Sequence, residues 1–160
     1  MALPYSTATS GEKALGEIQK LLRAFGCSKF GSMVDDGAGE LLVQFEYRGR
    51  QVSVKASTKG YAAAWLKENP WSNRRTGTRA QYEKKAMDVA SVAVYSILRD
   101  WIKGQIMAIE TGILSFEGAF LGQIMLPTGR TVLEHATAAD LLPAPDATQQ
   151  SDQGAGTPRC

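Results

Sequence analysis

The stretch from Thr78 to Gly112 constrains this chain more than any other. Thr78 and Gln81 have the spacing of a capping box, and no proline or turn cluster interrupts the residues that follow before Gly112. The pattern predicts one helix to Glu110, about 50 Å long at 1.5 Å per residue. Ala86, Val89, Ala90, Ala93, Ile97 and Trp101 form one apolar stripe, and Val94, Leu98, Ile102, Ile106 and Ile109 widen it. A helix apolar over so much of its girth must be buried by the rest of the chain or packed on a second copy. Residues 86–109 are therefore the expected surface for a homo-oligomer, and Gly104 is a place where the helix could kink.

The second strong signal is a hairpin. In Glu40–Tyr47, Val43, Phe45 and Tyr47 alternate with Gln44 and Glu46; after Arg48-Gly49, Val52, Val54 and Ala56 alternate with Gln51, Ser53 and Lys55. A two-residue turn sets Phe45 opposite Val52 and Val43 opposite Val54, so the two apolar faces coincide. A weaker strand is expected near Lys29–Val34, closed by Asp35-Asp36-Gly37-Ala38-Gly39. Before it, Ala14, Leu15, Ile18, Leu21, Leu22 and Phe25 mark a helix from Gly11 to Phe25, with Thr9 and Glu12 at capping-box spacing and Gly26 placed to end it. A short helix from Lys59 to Glu68, capped by Ser57 or Thr58, stops before Pro70. On this helix, Tyr61 and Trp65 lie four apart and read as core. Beyond Gly112 the pattern suggests a short helix leading into a strand, then a turn at Leu126–Arg130 before Thr131–Leu133.

The expected fold is therefore α+β. It has an N-terminal helix, a three-stranded antiparallel sheet, a short helix, a long buried helix and a short C-terminal helix or hairpin. The organisation is a flexible arm over 1–9, one domain over 10–140, and a disordered tail over 141–160. That tail lacks apolar residues to bury from about Pro143 onward. At 160 residues the chain has room for one core.

Several function classes lack their signatures. Motifs of serine hydrolases, zinc proteases, P-loop enzymes and dinucleotide-binding enzymes are missing from the sequence. One histidine and two cysteines, Cys27 and Cys160, are too few for a structural zinc site or a disulfide framework. No cofactor is expected, and both cysteines read as free thiols. No apolar run approaches the roughly 18 residues of a membrane span, and the start MALPYSTATSGEKAL has no leader pattern, so a cytoplasmic protein is expected. Asp100, Glu110 and Glu117 are the candidate metal-binding carboxylates. Ten residues of helix, however, put Asp100 and Glu110 roughly 80° and 15 Å apart, and Asp100 is better matched to Lys103 or Arg99. The strand Val52-Ser53-Val54-Lys55 has serine where a nuclease of the acid-x-lysine type needs a carboxylate.

Charge is more informative than its net value of +2. Between Arg48 and Lys85, ten basic residues face only Glu68 and Glu83, a local balance of +8. The remainder, with eight basic and fourteen acidic residues, stands at −6. Such a split points to a cationic surface facing an anionic partner. Arg50 and Lys55 project from the polar face of the hairpin, with Arg48 at its turn and Lys59 at the following helix. The loop Asn69–Gly77 mixes Trp71 with Arg74 and Arg75, and Arg79 stands at the entry of the long helix, where free backbone N–H groups suit a phosphate. Arginines, an exposed tryptophan and a helix N-terminus are the parts of sequence-tolerant nucleic-acid binding. Arg48, Arg50, Lys55, Lys59, Trp71, Arg74, Arg75 and Arg79 are the candidate DNA- or RNA-binding residues.

Two resemblances bear on this reading. The order helix, three antiparallel strands, helix over residues 11–68, with Ser57-Thr58-Lys59 opening the second helix, resembles the double-stranded-RNA-binding domain. Tyr95–Gln105, Glu110-Thr111-Gly112, Ser115-Phe116-Glu117 and Phe120-Leu121, together with Gly49-Arg50, Lys55-Ala56-Ser57 and Asn69-Pro70-Trp71, resemble a group of small proteins of tailed phages and prophages. That resemblance implies expression in a bacterial host's cytoplasm and an accessory role. The expected function is a non-enzymatic, nucleic-acid-binding accessory protein. The alternatives are an inhibitor or adaptor of a host protein, and a metal-dependent nuclease-like enzyme.

Overall fold

Helix α1 spans Gly11–Phe25, and the computed structural model describes residues 3–146 in all. The cap of α1 lies one residue later than the Thr9 expectation: the Ser10 hydroxyl accepts from the Lys13 N–H. At the other end Gly26 takes φ of 107°, and its N–H reaches the Leu22 and Arg23 carbonyls, a left-handed stop that a side chain would strain. Strands β1 (Lys29–Asp35), β2 (Glu40–Tyr47) and β3 (Arg50–Ser57) form an antiparallel sheet in that order. The register is the one the alternation demands, with Phe45 opposite Val52 and Val43 opposite Val54. Arg48 and Gly49 both have positive φ, as a tight hairpin turn requires.

Helix α2 (Lys59–Glu68) leads through the 69–78 loop into α3, which runs unbroken from Arg79 through Gly104 to Glu110 behind the Thr78–Gln81 capping box. Most of its apolar girth is covered within the chain. Ala86 and Ala90 are fully buried against Ala62 of α2, where small side chains let the helices approach closely. Val94, Leu98, Ile102 and Ile106 join Ala14, Ile18 and Leu22 of α1 and the inner sheet residues Leu41, Val43, Phe45, Val52 and Val54 in one core. The apolar stripe over residues 86–109, expected to face either the rest of the chain or a second copy, is thus covered in large part within the chain. Ile97, expected in the stripe, lies 36% exposed.

Beyond Gly112, α4 (Phe116–Phe120) and one 3-10 turn close the end of the core. Phe120 has no exposed surface; its ring meets Phe45 and Trp101 edge-on and Phe116 at a tilt. Ile124 and Met125 return as single bridges, Ile124 to Val52 and Met125 to Thr131. A strand over Thr131–Leu133 does not follow. The Thr131 hydroxyl and Glu134 form a second capping box, which starts α5 (Val132–Ala138) at once. The disordered tail expected over 141–160 lies outside the described residues from 147 onward. Among the described residues no helix is long and apolar enough to cross a membrane.

Residues 3–9, expected to hang loose, are tied at three points. The Leu3 N–H donates to Glu68 Oε2 at 2.9 Å, Tyr61 donates its hydroxyl proton to the Pro4 carbonyl, and Tyr5 donates to Asp100 Oδ2 at 2.7 Å.

Candidate nucleic-acid interface

The basic residues reach the surface on three parts of the fold. The first is the connection between α2 and α3. Buried Thr58 anchors the start of α2 by donating both its N–H and its hydroxyl to the Gly39 carbonyl, while Ser57 Oγ accepts from the Lys59 N–H. At the far end of α2, Trp65 packs on Tyr82, whose hydroxyl donates to the Asn69 carbonyl. These contacts fix both ends of the 69–78 loop. Trp71 is half-buried, not exposed as expected, and its indole N–H is shut from solvent with no hydrogen-bond acceptor among the described residues. The Arg75 N–H closes a turn on the Ser72 carbonyl, and its guanidinium lies 4.9 Å from the centre of the Tyr82 ring. Gly77 has φ of 94°, and a Cβ there would stand 2.6 Å from Gln81 Oε1, so the capping box needs this glycine. Arg74, Arg75 and Arg79 are all exposed, as are Lys67, Lys84 and Lys85 beside them.

The second part is the hairpin turn. Arg48 lies 5.3 Å from the centre of the Tyr47 ring; Arg50, expected on the polar face beside Lys55, stands opposite Tyr47 in step with Val52 and Val54, because side chains alternate along a strand, and pairs there with Glu117 at 2.9 Å. The third is the outer face of β3. There Lys55 borders a cleft of about 400 Å³ together with Gln44, Ser53, Gln123, Thr131 and Glu134. The Glu134 carboxyl is held below its usual range, first by the Thr131 backbone N–H and also by the nearby charges of Lys55 and Arg130.

These groups do not merge. Arg50 opens an eight-residue strand and Lys59 follows its far end, roughly 25 Å away at 3.3 Å per residue. Arg75 stacks at Tyr82, whereas Arg50 meets α4, which is fastened to α3 near Gln105 by the Gln105 Nε2 bond to the Ala119 carbonyl. Tyr82 and Gln105 lie about 35 Å apart along α3. Folding therefore gathers Arg74, Arg75 and Arg79 at one end of the molecule and sends Arg48 and Arg50 to the other.

The three candidate metal-binding carboxylates are likewise dispersed. Asp100 accepts from Arg99 Nε at 3.0 Å and from Tyr5; Glu117 is taken by Arg50; among the described residues no three acidic, histidine or cysteine side chains are grouped to hold a metal. Arg99 is one of the two partners expected for Asp100. Its second bond, Nη1 to Glu17 at 3.0 Å, links α1 to α3 and was not foreseen. The bonds from Tyr5 and Arg99 hold the Asp100 carboxyl below the usual range, and the same carboxylate pushes the Tyr5 hydroxyl up. Nothing in the spacing of residues 3–9 signals this docking, because a seven-residue arm has no periodicity to read.

No family model, curated protein or solved structure matches the chain. The helix, three strands and helix over residues 11–68 are present in that order, but neither resemblance gains support from these comparisons.

Proposed function

We propose that the chain is a non-enzymatic nucleic-acid-binding protein of the accessory, phage type, acting in a bacterial host's cytoplasm. Its contact surface would be the corner built by the end of α2, the 69–78 loop and the first turns of α3. One observation carries the reading. The two acids of segment 59–85 are already engaged, Glu68 by the Leu3 N–H and Glu83 by Arg79, while Arg74, Arg75, Lys84 and Lys85 form no ion pair among the described residues. Exposed cations without internal partners are the ones that release counterions from a phosphate backbone. Arg74 and Arg75 would make the main contacts, with Arg79 and the two lysines extending the track. Arg48, Arg50, Lys55 and Lys59 stand outside this corner and contribute only long-range attraction.

Titration of fluorescent single- and double-stranded oligonucleotides across a salt series tests this. The double substitution Arg74→Ala/Arg75→Ala should weaken binding to every sequence and flatten the log–log salt slope by roughly 1.4–1.8, at about 0.7–0.9 per lost phosphate contact. Arg50→Ala, at the distant hairpin turn, should leave the slope within error. Equal loss in both variants, or no loss in the first, rejects the corner as the contact surface.

A second reading, an inhibitor or adaptor of a host protein, is favoured by exposed Met107, Ile113, Leu114 and Leu121 around the α3–α4 connection. A partner recovered from nuclease-treated host lysate by the unaltered chain, but not by Ile113→Asp, would select it.

A further inference from the structure

Strand β1 is an edge left open. Among the described residues it pairs with β2 on one side only, and the sheet ends there. Of its seven residues only Phe30 is half-buried, while Met33 and Val34 are 59% and 48% exposed. The opposite edge is treated differently, since Ile124 bridges Val52 and the Met125 N–H donates to the Gln51 carbonyl at 2.8 Å. Edge strands of monomers are commonly blunted by proline, bulges or inward charges. β1 has none of these: its ladder to β2 is continuous over seven residue pairs, and its interior, Phe30-Gly31-Ser32-Met33-Val34, is uncharged.

The two charges that β1 does carry stand at its ends, and their placement specifies a partner. We propose that β1 pairs antiparallel with β1 of a second copy about a two-fold axis at Ser32, making one continuous six-stranded sheet. In that register Lys29 faces Asp35 at both ends, Phe30 faces Val34, and Gly31 makes room for Met33. Opposite charges directly across a strand pair are favourable and like charges are not. In-register parallel pairing would set Lys29 against Lys29 and Asp35 against Asp35. An antiparallel shift of two residues either way takes Lys29 off Asp35. The favoured register is thus the one that pairs each end charge with its opposite, and it is self-complementary as a two-fold interface must be. Lys29 already meets Glu46 at 3.0 Å and Asp35 Oδ1 accepts from the Ala38 N–H, but an ammonium has three donors and a carboxylate a second oxygen, so neither bond need be given up. Phe30 and Val34 lie on the core-facing side of the sheet, so the pairing would extend that apolar face from one copy into the next.

The full-length chain tests this directly. Sedimentation velocity over a concentration series should show the 17.3 kDa chain passing to a species of twice that mass. Val34→Lys should raise the dimer dissociation constant at least tenfold while its circular dichroism stays that of the folded chain. In a Cys160→Ser background, Ser32→Cys should form an intermolecular disulfide under mild oxidation. Residues on the axis lie roughly 4.5–5.5 Å apart between Cα atoms, within the span of about 4.4–6.8 Å that a disulfide bridges. Lys29→Cys should stay unlinked, its two copies being roughly 20 Å apart. A chain that remains at 17.3 kDa at all concentrations, or Lys29→Cys cross-linking as fast as Ser32→Cys, overturns the proposal.

Discussion

Phe120 illustrates how much one residue holds. It lies where α4, the sheet and α3 converge, with Phe45, Trp101 and Phe116 around a ring that has no contact with water. Truncation there leaves a cavity that three rigid aromatic neighbours cannot collapse to fill. Phe120→Ala should cost about 3–5 kcal/mol in urea unfolding, with the m-value unchanged. Cys27 presents the opposite kind of test, chemical and not mechanical. Its thiol, about half-buried below α1, is pushed up to about 11 by burial alone. At pH 8 only about one molecule in a thousand then carries the reactive thiolate. In a Cys160→Ser variant, alkylation of the folded chain should be slow at pH 8 and rise about tenfold per pH unit towards pH 11, while the urea-unfolded chain reacts readily at pH 8. Equal rates in the two states would mean that Cys27 is not shielded.

At the scale of elements, α3 depends on its ends as well as its packing. The Thr78 hydroxyl satisfies the Gln81 N–H, the Gln81 side chain returns to the Thr78 N–H, and Gly77 makes room for that return. Thr78→Ala should cost about 1 kcal/mol in urea melts, and Thr78→Ser should recover most of it. The bounds of α1, β2 and α3 were legible because each has a strong period and a punctuating residue, Gly26 after α1, Arg48-Gly49 after β2 and Thr78 before α3, whereas α2 was legible from its punctuation alone, Ser57-Thr58 before it and Pro70 after it. Where two signals competed, the reading slipped. Thr9 and Ser10 both offer a cap hydroxyl, and Ser10 takes the role. Thr131–Leu133 reads as the return arm of a hairpin, and Thr131 does bridge Met125, yet Thr131-Val132-Leu133-Glu134 is itself a capping box, and the helix it starts ends the pairing after that single bridge.

Over the whole molecule, local pattern determined the α+β class, the element order and the sheet register, because each is set by interactions within a few residues or across one tight turn. The split of charge along the chain was equally legible, since it needs only counting. What the sequence did not determine was where those charges meet. Arg50 and Arg75 are 25 positions apart in the chain and are carried to opposite ends of α3 by the direction in which β3, α2 and α3 are laid down, so one segment of +8 becomes separate surfaces. The covering of α3 within a single chain, the docking of Tyr5 on Asp100 and the bare outer edge of β1 belong to the same class. Each depends on which elements become neighbours, and that is settled by the packing of the whole core, not by the periodicity of any one stretch.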